Sequence, residues 1–132
     1  MMMRLQGDLL EILLAGAQGR LSDVRGQVTW SDQCAICVVM AANGYPAAYE
    51  KGSVIGGLDV AGDIENVRVY HAGTARNADG DIVSVGGRVL GVTALGDDIG
   101  AAQALAYRAV AEIDWPDGFC RSDIGWRAIE AV

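Results

Sequence analysis

Groups that move protons near neutral pH are almost missing from this sequence, which holds a single histidine, His71. One histidine without a carboxylate motif beside it is weak ground for acid–base catalysis. Cysteine is also scarce, with only Cys34, Cys37 and Cys120. An odd count without a secretion pattern argues for free thiols rather than a disulfide framework. Cys34 and Cys37 do form a C-x-x-C, inside the apolar run Cys34-Ala35-Ile36-Cys37-Val38-Val39-Met40. That run reads as a buried strand, on which residues three apart point to opposite faces, so the pair cannot share a metal. No second cysteine or histidine pair completes a zinc site, and the expectation is two buried thiols.

Other absences narrow the function. There is no G-x-x-x-x-G-K-[ST] phosphate loop and no G-x-G-x-x-G after a strand. No serine or cysteine nucleophile motif appears, and no acidic pair suggests a magnesium site, so neither a catalytic residue nor a metal ligand is expected. No apolar run is long enough to span a bilayer. The opening Met1-Met2-Met3-Arg4 lacks a signal-peptide pattern, and the expected compartment is the cytoplasm. A formal net charge of -7 disfavours nucleic acid and anionic membrane as partners. It leaves room for a small phosphorylated ligand in a locally basic pocket.

What is present suffices for a core. The 132 residues are 52% hydrophobic but only 6% aromatic, so the core must rest on aliphatic side chains and alanine. Asp8 to Gln18 reads as a capped helix with a broad leucine face, and Gly19 to Ser31 as a linker or edge strand. Cys34 to Ala42 reads as a central strand that ends at the turn cluster Asn43-Gly44-Tyr45-Pro46. Val67 to Tyr70 alternates like a strand, with Ile82 to Val85 as its expected partner across Asn77-Ala78-Asp79-Gly80. Val89 to Leu95 is a further strand, and Asp97 to Ile113 a helix stopped at Trp115-Pro116-Asp117-Gly118. Ile124, Trp126 and Ile129 are expected to pack back onto the sheet. The expected fold class is α+β, a small, mainly antiparallel sheet packed by one long helix and preceded by a separate helix.

Three polar features fit neither plain core nor plain surface. The first is Arg88, inside the apolar and glycine-rich stretch Ser84-Val85-Gly86-Gly87-Arg88-Val89-Leu90-Gly91-Val92. A guanidinium there needs a carboxylate, or an end of the strand where it meets solvent or a ligand. Arginine grips phosphate with two prongs, and Gly86 and Gly87 would let a ligand approach the backbone closely. A salt bridge to one of the 17 acidic residues is the competing reading. The second feature is Tyr70-His71-Ala72-Gly73-Thr74, where His71 either meets a ligand or anchors a loop. The third is Lys51 in the long 44–52 loop, either a second positive charge near Arg88 or an ordinary exposed lysine. On this chemistry the chain is a binding domain serving a catalytic site held elsewhere.

Four segments in order carry a resemblance. They are Cys37 to Gly52 (CVVMAANGYPAAYEKG), Val69 to Ala75 (VYHAGTA), Gly86 to Ile99 (GGRVLGVTALGDDI) and Asp123 to Ile129 (DIGWRAI). Together the chain resembles the C-terminal domain of the phosphoribosylamine–glycine ligases, also called glycinamide ribonucleotide synthetases. Arg4 to Gly16 is similar to the last helix of that family's ATP-grasp domain. The implied organisation is the end of an ATP-grasp domain with a linker over 1–30, and the ligase C-terminal domain over 31–132. Two departures stand out, Ala47 where the family usually has glycine after Tyr-Pro and Cys120 where an aromatic is usual.

The resemblance implies a role in purine biosynthesis. In that family ATP phosphorylates glycine to an acyl phosphate, the amine of 5-phosphoribosylamine attacks it, and magnesium is required. The ATP and metal sites belong to the ATP-grasp domain, so this chain alone is expected to bind no cofactor and to be inactive without the missing N-terminal and ATP-grasp domains. Arg88 matches the position where related purine-pathway enzymes grip the ribonucleotide phosphate, with Gly86 and Gly87 beside it. His71, Gly73 and Thr74 are implied walls of the same substrate cleft, and Lys51 a further contact. A non-catalytic complementation module of a split enzyme is the alternative. The C-terminal domain of another ATP-grasp carboxylase or formyltransferase is another.

Overall fold

The computed structural model describes residues 1–131. Its frame is a four-stranded antiparallel sheet in the order β2-β5-β1-β6. The strands are β1 (Cys34–Ala42), β2 (Val67–His71), β5 (Arg88–Gly96) and the short β6 (Gly118–Phe119). A second sheet pairs β3 (Thr74–Arg76) with β4 (Ile82–Ser84). The helices are α1 (Leu9–Ala17), α2 (Leu58–Asp63), α3 (Ile99–Ala111) and α4 (Trp126–Glu130). This is the α+β class expected, a mainly antiparallel sheet with one long helix laid against it.

The core lies between one face of the sheet and α3. Ile36, Val38 and Met40 of β1 pair with Ala94, Val92 and Leu90 of β5, and all six are buried. Ala102, Ala106 and Ala109 press the helix onto them. Alanine permits the close approach, and so does Gly96, where a Cβ would stand 2.4 Å from the Ala102 nitrogen. Asp98 caps α3 by accepting from the Ala101 N–H at 2.7 Å, and Asp8 caps α1 by accepting from Leu10 and Glu11. Such caps contribute about 1 kcal/mol each.

Several expectations are corrected. The segment Ile82–Ser84 does not pair with β2. Its partner is Thr74–Arg76, across the Asn77–Gly80 turn, while β2 runs antiparallel to β5. The turn was legible, but the strand entering it is a new one after a break at Ala72 and Gly73. Cys37 is exposed and Cys34 half-buried, so the apolar run of β1 is not buried on both faces. Residues 19–31 hold a 3-10 helix, Leu21–Gln27, and Trp30 bridges Leu5. In the tail, Ile124 joins the core margin, whereas Trp126 and Ile129 remain 42% and 37% exposed. The difference follows from anchoring, because Tyr107 and Gln103 of α3 hold the backbone at Arg121 and Ile124, whereas among the described residues no side-chain hydrogen bond from α3 reaches α4. No helix is long and apolar enough to cross a membrane among the described residues.

A buried polar relay fixes the small sheet to the core. The Trp115 indole N–H donates to Ser53 Oγ at 2.8 Å, and Ser53 Oγ lies 2.9 Å from Ser84 Oγ. Backbone bonds between residues 52–55 and 82–84 run the 52–55 segment alongside β4.

Candidate functional site

The expected site residues converge at one end of the main sheet, where β2 finishes and β5 begins. Three loops meet there, spanning 43–53, 72–73 and 85–87. The Ala72 and Gly73 N–H groups both donate to the Val89 carbonyl, and Val85 N–H donates to the Gly73 carbonyl at 2.8 Å. The glycines are explained by this convergence. A Cβ on Gly73 would stand 2.9 Å from the Gly86 Cα. A Cβ on Gly87 would stand 2.3 Å from the Tyr45 ring. Gly87 is buried, and the space beside it is filled by Tyr45 and Tyr49, whose ring centroids lie 6.3 Å apart. Gly86 and Gly87 thus give room to the protein's own chain, with Gly44 (φ +96°) turning the tyrosine loop back onto the strand.

Arg88 opens β5 and is exposed. Among the described residues the ion pairs are Arg20–Asp23 and Arg121–Asp123, and Arg88 takes part in neither. The register shifts where it sits, with Met40 opposite Leu90 and Ala41 opposite Arg88. Val89 is therefore an extra residue on β5, turned inward with Leu90 into the core. Cross-strand partners share a face of a sheet. Arg88 thus shares its face with Ala41 and with Phe119, the partner of Ala41 on β6. That face is the one turned away from α3.

His71 pairs with Leu90 and so ends β2 on the opposite, helix-bearing face. Its Nδ1 lies 3.0 Å from Thr74 Oγ1, which ties it to the start of β3. Lys51 is exposed, next to Gly52, whose N–H donates to Ser84 at 2.7 Å. The structure therefore gathers Gly73, Gly86, Gly87, Arg88, His71 and Thr74 at one sheet end but sends Arg88 and His71 from different faces. Sequence reading missed Arg68. It lies on the same face as Arg88, opposite Thr93, and its alternation with Val67 and Val69 hinted at this only once the pairing with β5 was known.

The site holds no cluster suited to a metal. Among the described residues, no group of three His, Cys, Asp or Glu side chains could hold an ion.

Fold and site together define a small α+β domain that presents the exposed Arg88 where three loops converge at one sheet end. The family model for the phosphoribosylglycinamide synthetase C domain matches residues 35–127. The chain belongs to that family, as its motifs suggested. Over 130 residues it is 53% identical to the phosphoribosylamine–glycine ligase of Brucella melitensis, covering 98% of this chain and 30% of that protein. It is 52% identical over 130 residues to the chloroplastic phosphoribosylamine–glycine ligase of Arabidopsis thaliana, covering 98% of this chain and 24% of that protein. The crystal structure of the phosphoribosylamine–glycine ligase of Thermotoga maritima aligns with a TM-score of 0.63 at 32% identity, over 83% of this chain and 27% of the other. The chain thus spans under a third of the length of these relatives.

Proposed function

We propose that the chain is the C-terminal part of a phosphoribosylamine–glycine ligase, and that it helps hold the phosphoribosyl substrate. The reaction joins glycine to 5-phosphoribosylamine as ATP becomes ADP and phosphate, a step of purine biosynthesis carried out in the cytoplasm. ATP and magnesium belong to the parts of the enzyme outside this chain. The carrying observation is Arg88, an exposed arginine at the head of β5 with no acidic partner among the described residues. An unpaired guanidinium held at the mouth of converging loops suits a phosphate dianion. Backbone around Gly86 and Gly87 fixes where Arg88 emerges, while His71, Gly73 and Thr74 shape the neighbouring wall, with Lys51 as an outlying contact.

The test uses a complete ligase carrying this chain. Arg88→Ala should raise KM for phosphoribosylamine and leave those for ATP and glycine nearly unchanged. Loss of one charge-assisted phosphate contact corresponds to about 1.5–3 kcal/mol, so about tenfold to hundredfold. In the isolated chain the same substitution should shift unfolding free energy by less than about 0.5 kcal/mol, as at an unpaired surface position. An unchanged KM, or a clear loss of stability, would return Arg88 to a structural role. The 132-residue chain by itself should not turn over the three substrates.

One observation is shared by the second reading, a complementation module that docks on a separately made ATP-grasp chain. Of α1 only Ala15 is buried, and Leu10, Leu13 and Leu14 are 74%, 61% and 52% exposed. A leucine surface of this kind is covered in a soluble protein, by either a covalently joined or a separate body.

A further inference from the structure

Both ends of the 43–53 loop are tied to one short turn, residues 114–118, which follows α3. At the start of the loop the Asn43 N–H donates to the Asp117 carbonyl at 2.8 Å, and Asn43 Nδ2 donates to the Pro116 carbonyl at 3.2 Å. At its end the Trp115 indole N–H donates to Ser53 Oγ at 2.8 Å. Just beyond, Gly56 and Asp114 exchange both backbone hydrogen bonds, at 2.9 and 3.0 Å. The turn is a firm anchor, because Trp115 is buried and Gly118 leaves no room for a side chain beside its ring. Ser53 also links the loop to β4. Its Oγ lies 2.9 Å from Ser84 Oγ, the Gly52 N–H donates to the Ser84 carbonyl at 2.7 Å, and the Ser84 N–H donates to the Ser53 carbonyl at 3.0 Å. At the other end of the loop the Ala42 N–H donates to the carbonyl of Gly87, directly before Arg88.

We propose that Ser53, held by Trp115, is a positioning residue that sets the loop bearing Lys51 against the strand bearing Arg88. Lys51 stands two residues before Ser53, and Arg88 four residues after Ser84. The Ser53–Ser84 link therefore lies between the two cations along both segments. An indole N–H can only donate, so Ser53 Oγ accepts from Trp115 and keeps its own proton available for Ser84. With both roles filled, the hydroxyl fixes the loop end and β4 to the same buried ring. Between its two ties the loop packs Tyr45 and Tyr49 against Gly87, next to Arg88. Two cations recognise one phosphate well when their separation is set before binding, since ordering a loose loop on binding weakens affinity. Ser53 touches no substrate on this account and acts through Lys51 and Arg88. The inference rests on the ligase reading and adds to it the groups that keep the shape of the site.

The test uses the complete ligase carrying this chain. Ser53→Ala removes the hydroxyl, and Trp115→Phe removes the indole N–H while keeping an aromatic ring. Each should raise KM for phosphoribosylamine about threefold to tenfold, with kcat and the KM values for ATP and glycine within about twofold of the parent. Ala106→Gly is the control for stability alone, because glycine weakens α3 within the core and lies outside both the loop and the turn. It should leave all three KM values within about twofold. An unchanged KM for phosphoribosylamine in Ser53→Ala, a rise shared by all three substrates, or the same rise in Ala106→Gly overturns the positioning role. A rise in Ser53→Ala with none in Trp115→Phe takes the turn out of the account and overturns it too. Arg88→Ala, assayed beside them, separates this inference from the phosphate contact. If Arg88→Ala alone raises the KM, the contact stands and the positioning falls. If Ser53→Ala and Trp115→Phe raise it and Arg88→Ala does not, the positioning stands through Lys51 and the contact at Arg88 falls.

Discussion

Gly73 and Gly86 meet backbone to backbone, with no space for a side chain on Gly73 and little on Gly86. A Cβ on Gly73 would also stand 2.6 Å from the Arg88 carbonyl oxygen. This contact pins the exit of β2 to the entry of β5 and so fixes where Arg88 leaves the sheet. Gly73→Ala should therefore cost about 1–3 kcal/mol by overpacking against rigid backbone. Urea unfolding of the isolated chain measures it. The same substitution should move the Arg88 backbone amide resonance, and a change confined to residues 72–74 would contradict the coupling.

Ser53 joins the small sheet to the core by bonding both Trp115 and Ser84. Ser53→Ala leaves the Trp115 N–H and the buried Ser84 hydroxyl without this partner. The expected loss is about 1–3 kcal/mol per unsatisfied group. Trp115 fluorescence during denaturant unfolding reports it, and a variant as stable as the parent would show that water or a rearranged Ser84 replaces the bond.

Much of this architecture was written in local pattern. The alternating strand Val67–Tyr70, the β5 run and the alanine stripe of α3 each announced their element, because one buried face imposes a period of two or 3.6 on the sequence. The Asn77–Gly80 turn was equally plain. What failed was pairing. Nothing near Ile82 says that its partner is Thr74–Arg76 rather than Val67–Tyr70, because the break at Gly73 matters only through its contact with Gly86, thirteen residues away. The apolar run Cys34–Ala42 misled for a related reason. A strand reads as buried on both faces when its outward residues are also apolar, and Cys37 and Val39 are both apolar and exposed. The candidate site was legible as residue types but not as geometry. Arg88 stood out as a charge in an apolar stretch. The glycines beside it looked like space for a ligand, and only the fold shows Tyr45 and Gly73 in that space.

Arg121 and Asp123 pair at 2.8 Å in the turn ahead of α4. The hydrogen bond from Arg121 holds the Asp123 carboxyl below its ordinary value, and the same bond, accepted by Asp123, raises the Arg121 guanidinium above its own. The sign is that of a depressed acid. Any stabilisation from the pair is present above the ordinary aspartate range and is lost as pH falls through the lower, folded-state value. Both groups face water, so global stability should hardly respond. The local titration should respond clearly. Arg121→Gln is expected to return the Asp123 carboxyl midpoint upward to the ordinary aspartate range, followed by carbon NMR of the side chain from about pH 2 to 6. The same variant should loosen the turn that carries Trp126, read as faster amide exchange at Ile124 and Gly125. A midpoint that stays depressed without Arg121 would move the cause to the local backbone hydrogen bond at Asp123 and, behind it, the nearby Arg127.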